Sequence, residues 1–586
     1  MNERDFAMYR PKLSVLTLGL IAITASAYLH TAIAADSPEQ IRKLQEQEKA
    51  ATNIYEAYFP DLVTARKAAI SFHGQLLEAN YDAGFLVLEL SPQEMTQLRQ
   101  FGFKFKPATD FMQQRKKFLN DVQNEMLLRE QKKPTSSTTT IPRFPCYETV
   151  EETFSQAQGF VASKPTLASW IDVGNSWEKS AGLGGYDISV LKLTNSAIGG
   201  PKPKLFVNSA IHAREYTTAP LNLEFARWLV NGYGVNADAT WILDHHEVHL
   251  MLQTNPDGRK QAEAGLSWRK NTNQAYCGAT SNTRGADLNR NFTFSFNSTG
   301  GQGSSSDTCN LTYRGTSAAS EPETQAVESY VRALWTDQRG LNLGDAAPRT
   351  TSGIHIDLHS YSQLVLWPWG NTATPSGNAT DLQTLGRKLA FFNGYSPQQS
   401  IGLYPTDGTS DSVSYGELGV AAYTIELGTS FFQHCSAYNN KIMPDNLNAL
   451  IYAAKVVRTP YITPAGPDVS ALSLGNNASS NGVQAGTNVA LTGTATATRY
   501  NNSNGTQPTQ NIAAAEYYID TPPWLSGAVA TVLAPTDGAF DTKTEGINGI
   551  ISTAELTVGT HTVYVRSKDL AGNWGAFTAA FLKVNP

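Results

Sequence analysis

The sequence predicts an α/β protein: a mixed, mainly parallel central sheet covered by helices on both faces, preceded by a small α/β unit and followed by an all-β sandwich. Three observations carry this. Between about Phe144 and Pro464, apolar runs of strand length alternate with segments of helical periodicity, the pattern of a sheet layered with helices. After Pro464-Ala465-Gly466-Pro467 the chain becomes rich in Thr, Ala, Val, Gly and Asn, with short alternating runs and no convincing helix, a sandwich signature. A chain of 586 residues is also too long for one core, so two to four domains are expected.

Taken in order, the N-terminus reads first. Arg10 and Lys12 precede the apolar run Leu13 to Tyr28, and Ala32-Ile33-Ala34 offers a small-residue cleavage site before Asp36. That order predicts a secretory signal peptide over residues 1–35. A membrane anchor is the weaker reading, because Ser14, Thr17, Thr24 and Ser26 dilute a run already short for a bilayer. No other stretch is apolar enough to span one, so no membrane span is expected after signal removal.

Residues 36–143 read as the small α/β unit and a linker. Gly84 to Leu90 alternates as a strand. Ser91-Pro92-Gln93-Glu94 supplies an N-cap, a proline at the first helical position and a glutamate three residues past the cap. Phe103-Lys104-Phe105 reads as another strand. A polar stretch follows, with Arg115-Lys116-Lys117, Lys132-Lys133-Pro134 and Ser136 to Thr140, and reads as a solvated, protease-sensitive linker. A domain joined by such a linker suggests a prosegment, with a permanently attached domain as the alternative.

Residues 144–464 form the α/β region. Lys204 to Ile211, Val248 to Gln253, Ile354 to Leu358 and Ala421 to Leu427 read as strands. Thr217 to Asn231, Glu321 to Trp335 and Asn446 to Val457 read as helices. Residues 465–586 form the sandwich, whose Lys568 to Trp574 turn resembles the end of bacterial immunoglobulin-like repeats.

Composition narrows the function classes. A net charge of -6 and the lack of a basic stripe exclude a nucleic-acid partner, and 41% hydrophobic with 16% charged residues excludes a disordered chain. The four cysteines (Cys146, Cys277, Cys309 and Cys435) contain no C-x-x-C, so in an exported chain they read as disulfides. Three pairings are open. Cys277 with Cys309, closing a Gly/Ser/Asn-rich loop, and Cys146 with Cys435 are favoured.

The strongest functional signal is the placement of polar motifs after predicted strands. His212-Ala213-Arg214-Glu215 follows Lys204 to Ile211, Thr254 to Gly258 follows Val248 to Gln253, His359-Ser360-Tyr361 follows Ile354 to Leu358, and Glu426 lies near the end of its own strand. Open α/β sheets bind ligands at the carboxyl ends of their strands. His212 and Glu215 offer a near pair and His359 a distant third, which suits the two-histidine, one-glutamate set of catalytic zinc. A single His-x-x-Glu would mean little alone. Asp244-His245-His246-Glu247-Val248-His249 lacks H-E-x-x-H spacing and starts its strand, so it reads as surface polarity. His355, further from the strand end than His359, reads as a packed or supporting histidine.

The combination resembles the zinc metallocarboxypeptidases related to pancreatic carboxypeptidases A and B. His212-x-x-Glu215, Trp268-Arg269-Lys270, Gly285 to Phe292, His359 to Gln363, Tyr404 and Glu426 stand in that family's order over roughly residues 147–460. The resemblance implies one Zn2+ held by His212, Glu215 and His359, with Glu426 as general base and Arg269 stabilising the oxyanion. It implies Asp287 as the group orienting His212. Arg290, with Asn289 and a closing Tyr404, would hold the substrate's terminal carboxylate, and Arg214 and Tyr361 would contact residues further up the peptide.

Asp411 falls where basic-specific relatives carry an acidic residue at the pocket base, which implies a preference for C-terminal Lys or Arg. Ser412 follows where many relatives have another aspartate, so broad specificity is the rival. The implied function is that of a secreted exopeptidase acting on peptides with a free C-terminus. The alternatives are a cell-wall peptide hydrolase or deacylase on the same zinc site, and a non-catalytic surface binding protein. For the sandwich, a stabilising spacer is favoured over adhesion or substrate targeting.

Overall fold

A computed structural model gives the architecture. It describes residues 36–131 and 140–586, so the signal-like segment and most of the Lys132 to Thr140 stretch lie outside the described residues.

The N-terminal unit is a four-stranded antiparallel sheet: β1 (Ile54–Tyr58), β2 (Leu76–Asn80), β3 (Phe85–Glu89) and β4 (Lys104–Pro107), in the order β2-β3-β1-β4. Helices Leu62–Ser71 and Pro92–Gln100 connect the strands. The second starts as its sequence dictates. Ser91 Oγ accepts from the Glu94 amide at 3.2 Å, and Glu94 Oε2 accepts from the Ser91 amide at 2.8 Å.

The linker expectation needs correction. Arg115-Lys116-Lys117 lies inside a 23-residue helix, Thr109–Gln131. Leu119 and Val122 are buried on one side of it. Phe118 packs on Phe144 and Phe432, and Arg115 binds Glu48 and lies 4.5 Å over the Phe432 ring. The charges drew attention away from this apolar stripe.

The central sheet has eight strands: β5 (Ala168–Asn175), β6 (Asp187–Leu193), β7 (Lys204–Ser209), β8 (Glu247–Met251), β9 (Ile354–His359), β10 (Leu364–Trp367), β11 (Ser396–Gln399) and β12 (Ala421–Glu426). Their order is β11-β10-β12-β9-β7-β8-β6-β5. The inner run β8-β7-β9-β12 is parallel throughout, while antiparallel pairings join β10 to β12, β6 to β8 and β5 to β6. Helices Thr218–Gly232, Pro322–Leu334, Ala379–Asn393 and Met443–Val456 pack around it.

Parallel strands covered on both faces are buried throughout. In β9 this divides the strand by chemistry. Ile354, Ile356 and Leu358 alternate with His355, Asp357 and His359, and all six are buried. The polar face leads towards the site. Two disulfides, Cys146–Cys435 and Cys277–Cys309, staple the region.

The C-terminal part is all-β: β13 (Asp468–Leu474), β14 (Val483–Gln484), β15 (Asn488–Thr496), β16 (Ile512–Ile519), β17 (Thr531–Pro535), β18 (Thr544–Ser552), β19 (Gly559–Asp569) and β20 (Thr578–Asn585). It is docked firmly on the central region. Trp524 stacks on His246, so that histidine is buried in the seam, and His249 is buried beside Tyr330. The reading of these two as surface polarity is overturned; each found an aromatic partner in distant sequence. His245 keeps partial exposure.

Across the same seam, fully buried Lys388 donates to Asp468 Oδ2 at 2.8 Å and lies 4.4 Å from the Tyr500 ring centroid. Replacing Lys388 with Met leaves the Asp468 carboxylate buried without its counter-charge, which costs about 3–5 kcal/mol. K388M should therefore unfold at clearly lower denaturant concentration than wild type, and adding D468N should restore most of the loss. Equal midpoints for K388M and wild type would show that the pair contributes nothing.

Candidate active site

The strand registers bring the chemistry together. Glu426 pairs with His359 across β12 and β9, and Ser209 pairs with Leu358 across β7 and β9. The carboxyl ends of three neighbouring strands therefore meet. After β7 the chain turns sharply at Ala210, whose φ of 55° is left-handed, and delivers His212 and Glu215 to the same edge.

Three donor groups converge there. His212 Nδ1 lies 2.7 Å from Glu215 Oε1, His359 Nδ1 lies 3.2 Å from Glu215 Oε2, and the two Nδ1 atoms are 3.2 Å apart. The outer nitrogens are anchored: His212 Nε2 to Asp287 Oδ1 at 3.0 Å and His359 Nε2 to Asp357 Oδ2 at 3.1 Å. Outer N–H groups that donate to carboxylates leave the inner lone pairs facing one another. Those inner atoms are close enough to share one cation. Ligands about 2.0–2.1 Å from a tetrahedral zinc stand about 3.3 Å apart, which the two 3.2 Å separations match.

The charges around it compensate one another. Burial would raise the Glu215 carboxyl, but His212 and His359 hold it well below the usual carboxylate range. Burial also opposes the charge of Asp287, and Arg269 and His212 overcome it to hold that carboxyl well below its usual value. Asp287 Oδ2 receives both Nε (3.1 Å) and Nη2 (2.8 Å) of Arg269. Glu426 Oε2 is buried beside them, 3.3 Å from His73 Nε2.

A short turn, Leu288–Arg290, is capped by Asp287 accepting from the Asn289 amide at 3.1 Å. Asn289 Oδ1 accepts from the Ser410 amide at 2.9 Å, and its amide nitrogen lies 3.2 Å from His359 Nε2. Arg290 donates to the Gly303 carbonyl at 2.9 Å and to the Asn289 carbonyl at 2.7 Å. Arg290, Asn289 and Asp411 line one cavity with His212, His359 and Glu426. Burial pushes the Asp411 carboxyl up. His355 sits one step behind, between Ser414 Oγ and Asn208 Oδ1, both at 2.7 Å.

The cavity is small, about 50 Å³, because Ile70 and His73 of the N-terminal unit enter it. A larger cavity of about 670 Å³ is lined by Tyr186, Asp257, Lys260 and others and contains none of these groups. The remaining predicted substrate contacts face the N-terminal unit. Arg214 donates to the Gly74 carbonyl at 2.8 Å and the His73 carbonyl at 3.3 Å. Tyr361 is buried in the N-terminal unit's apolar cluster, and the Tyr404 ring packs against Phe72 and Phe101 instead of lining the cavity.

His73 was missed by sequence reasoning. It is the one histidine between residues 36 and 131, with no partner at motif spacing to mark it.

The profile of the zinc carboxypeptidase family matches residues 155–448. Human carboxypeptidase A5 is 30% identical over 279 residues, covering 46% of this chain and 56% of its own length. Rat carboxypeptidase A1 is 30% identical over 280 residues, covering 46% of this chain and 58% of its own. The chain thus spans a little over half the length of the curated relatives it matches. The crystal structure of carboxypeptidase A from Helicoverpa armigera shares the fold, with a TM-score of 0.50 at 19% identity over 70% of this chain and 98% of that one.

Asp287 touches both Arg269 and His212, so its loss should loosen both. Asp287→Asn is expected to weaken zinc binding about 10–100-fold, measured by competition with a chromophoric chelator. Unchanged affinity would show that Asp287 does not hold His212 for a metal.

Proposed function

The chain belongs to the zinc carboxypeptidase family, and from that premise we propose that it is a secreted exopeptidase that removes single residues from the C-terminal ends of peptides. The observation that carries this is the meeting of His212, Glu215 and His359 beside Glu426, at the cavity that also holds Arg290. Secretion is supported by the signal-like N-terminus and two disulfides. Among the described residues no helix is long and apolar enough to cross a membrane.

His212, Glu215 and His359 would hold the zinc, which when bound supplies Lewis acidity towards a carbonyl and towards water. Glu426 takes the proton of the attacking water and passes it to the leaving amine. Arg269, kept in place by Asp287, presents fixed positive charge to the developing oxyanion. Arg290 pairs with the substrate's terminal carboxylate, which restricts cleavage to chain ends.

Asp411 gives the side-chain pocket an acidic wall, and this favours C-terminal Lys or Arg. Its raised carboxyl regains charge when a cation arrives. The N-terminal unit acts as an inhibitory prosegment. Support comes from its use of Arg214, Tyr361 and Tyr404, the residues assigned to the substrate.

Peptide digestion after limited tryptic treatment of the chain, followed by mass spectrometry, tests the proposal. Stepwise loss of C-terminal residues that stops on chelation is expected; internal cleavage would reject it. Glu426→Gln should lower kcat by about a hundred- to ten-thousand-fold while zinc content stays at one per chain. Among peptides ending in Lys, Phe or Glu, the Lys peptide should be cut fastest. No advantage for Lys ends the assignment of Asp411.

A further inference from the structure

We infer that His73 keeps the uncut chain silent by placing its imidazole where the attacking water belongs, so that one ring occupies both the base Glu426 and the oxyanion arginine Arg269. This rests on the carboxypeptidase reading above and adds to it a chemical mode of latency.

The geometry fixes the ring's proton. Arg269 Nη1 lies 2.9 Å from His73 Nδ1. A guanidinium has only donors, so Nδ1 accepts and the ring's hydrogen stands on Nε2. Nε2 in turn faces three oxygens: the Ser360 carbonyl at 3.0 Å, Glu426 Oε2 at 3.3 Å and Glu215 Oε1 at 3.6 Å. A water poised for attack must stand beside the base and beside the zinc-binding carboxylate. That place is taken by the N–H of His73.

The ring is held there from several directions. It packs between His212, His359 and Phe431, with centroids 5.5, 6.0 and 5.9 Å away, and is 6% exposed. Arg214 grips the backbone carbonyls of His73 and Gly74. Gly74 itself lies so close to Thr312 that a Cβ would fall 2.9 Å from its methyl carbon. Just upstream, Ser71 Oγ donates to the Tyr404 carbonyl at 3.0 Å and accepts from its amide at 2.8 Å. A domain that merely shadowed the cleft would need none of these polar contacts. Here the reacting groups themselves are engaged, so a molecule small enough to slip past the domain still finds them occupied.

The test is cobalt substitution of the full-length, uncut chain, with azide as a small probe of the reacting position. The visible absorption of the Co(II) protein should respond to azide with an affinity at least about tenfold weaker in wild type than in His73→Gly, since the plugged state removes all but a minor competent fraction. The variant's uncut chain should also gain hydrolysis of a small blocked dipeptide. Equal azide affinity in the two proteins overturns the inference while leaving the metal site intact. A chain that takes up neither zinc nor cobalt sinks the carboxypeptidase reading as well. A measurement on wild type alone is independent of whether the variant folds: proton–nitrogen NMR of the zinc-loaded chain should show His73 protonated at Nε2 and bare at Nδ1. The opposite tautomer, or a doubly protonated ring, overturns the inference.

Discussion

Asp287 is the residue on which the centre depends, because it is a fully buried carboxylate with both oxygens committed. One anchors the outer nitrogen of His212 and the other takes the fork of Arg269. Without it, two cationic or polar groups would lie in low dielectric with no fixed orientation. Burying a lone charge is costly, and burying a closed set is tolerable because each member is the counter-charge of the next. The chain therefore binds Arg269, Asp287, His212, Glu215 and His359 into a mutually compensated group, and any single break is felt by all of them. Gly285 shows how tightly the surrounding loop is drawn: its φ of 93° is left-handed, and a Cβ there would fall 2.0 Å from the Asn271 carbonyl oxygen.

Much of this was legible in the sequence because strand ends announce themselves. An apolar run such as Leu205–Val207 or an alternating one such as Ile354–Leu358 fixes where a strand lies, and the polar residue that follows must then stand at the sheet edge. His212, His359 and Glu426 were found this way, each from its position relative to a local pattern. The edge strands β5, β6, β10 and β11 carry less contrast and were not read. His73 and His246 were unreadable for a different reason. Each owes its environment to a surface brought from hundreds of residues away, Arg269 and Glu426 in one case and Trp524 in the other. Helix Thr109–Gln131 was hidden by its Arg115-Lys116-Lys117 run, which reads as solvated chain although Phe118, Leu119 and Val122 follow it directly and pack inward.

The C-terminal β-region is built into the flank of the central sheet region. Beyond Lys388 and Asp468, the Tyr500 hydroxyl donates to the Pro464 carbonyl at 2.7 Å, and Asn501 donates to the carbonyls of Ala390 and Tyr395. These contacts reach helix Ala379–Asn393, which also packs on β10 and β11. A unit joined this way braces one side of the central sheet.

Helix Thr109–Gln131 and the contacts around it have a consequence for timing. Arg115 on Glu48, Phe118 on Phe432 and the bridge between Glu78 and Ser430 are non-covalent, and the disulfide from Cys146 to Cys435 fastens only the downstream side. Severing the backbone between residues 131 and 141 would thus turn an internal partner into a separate molecule still docked in place. Its hold would then depend on how concentrated the two pieces are. Dilution of the two pieces, rather than the cut itself, would set the moment of release.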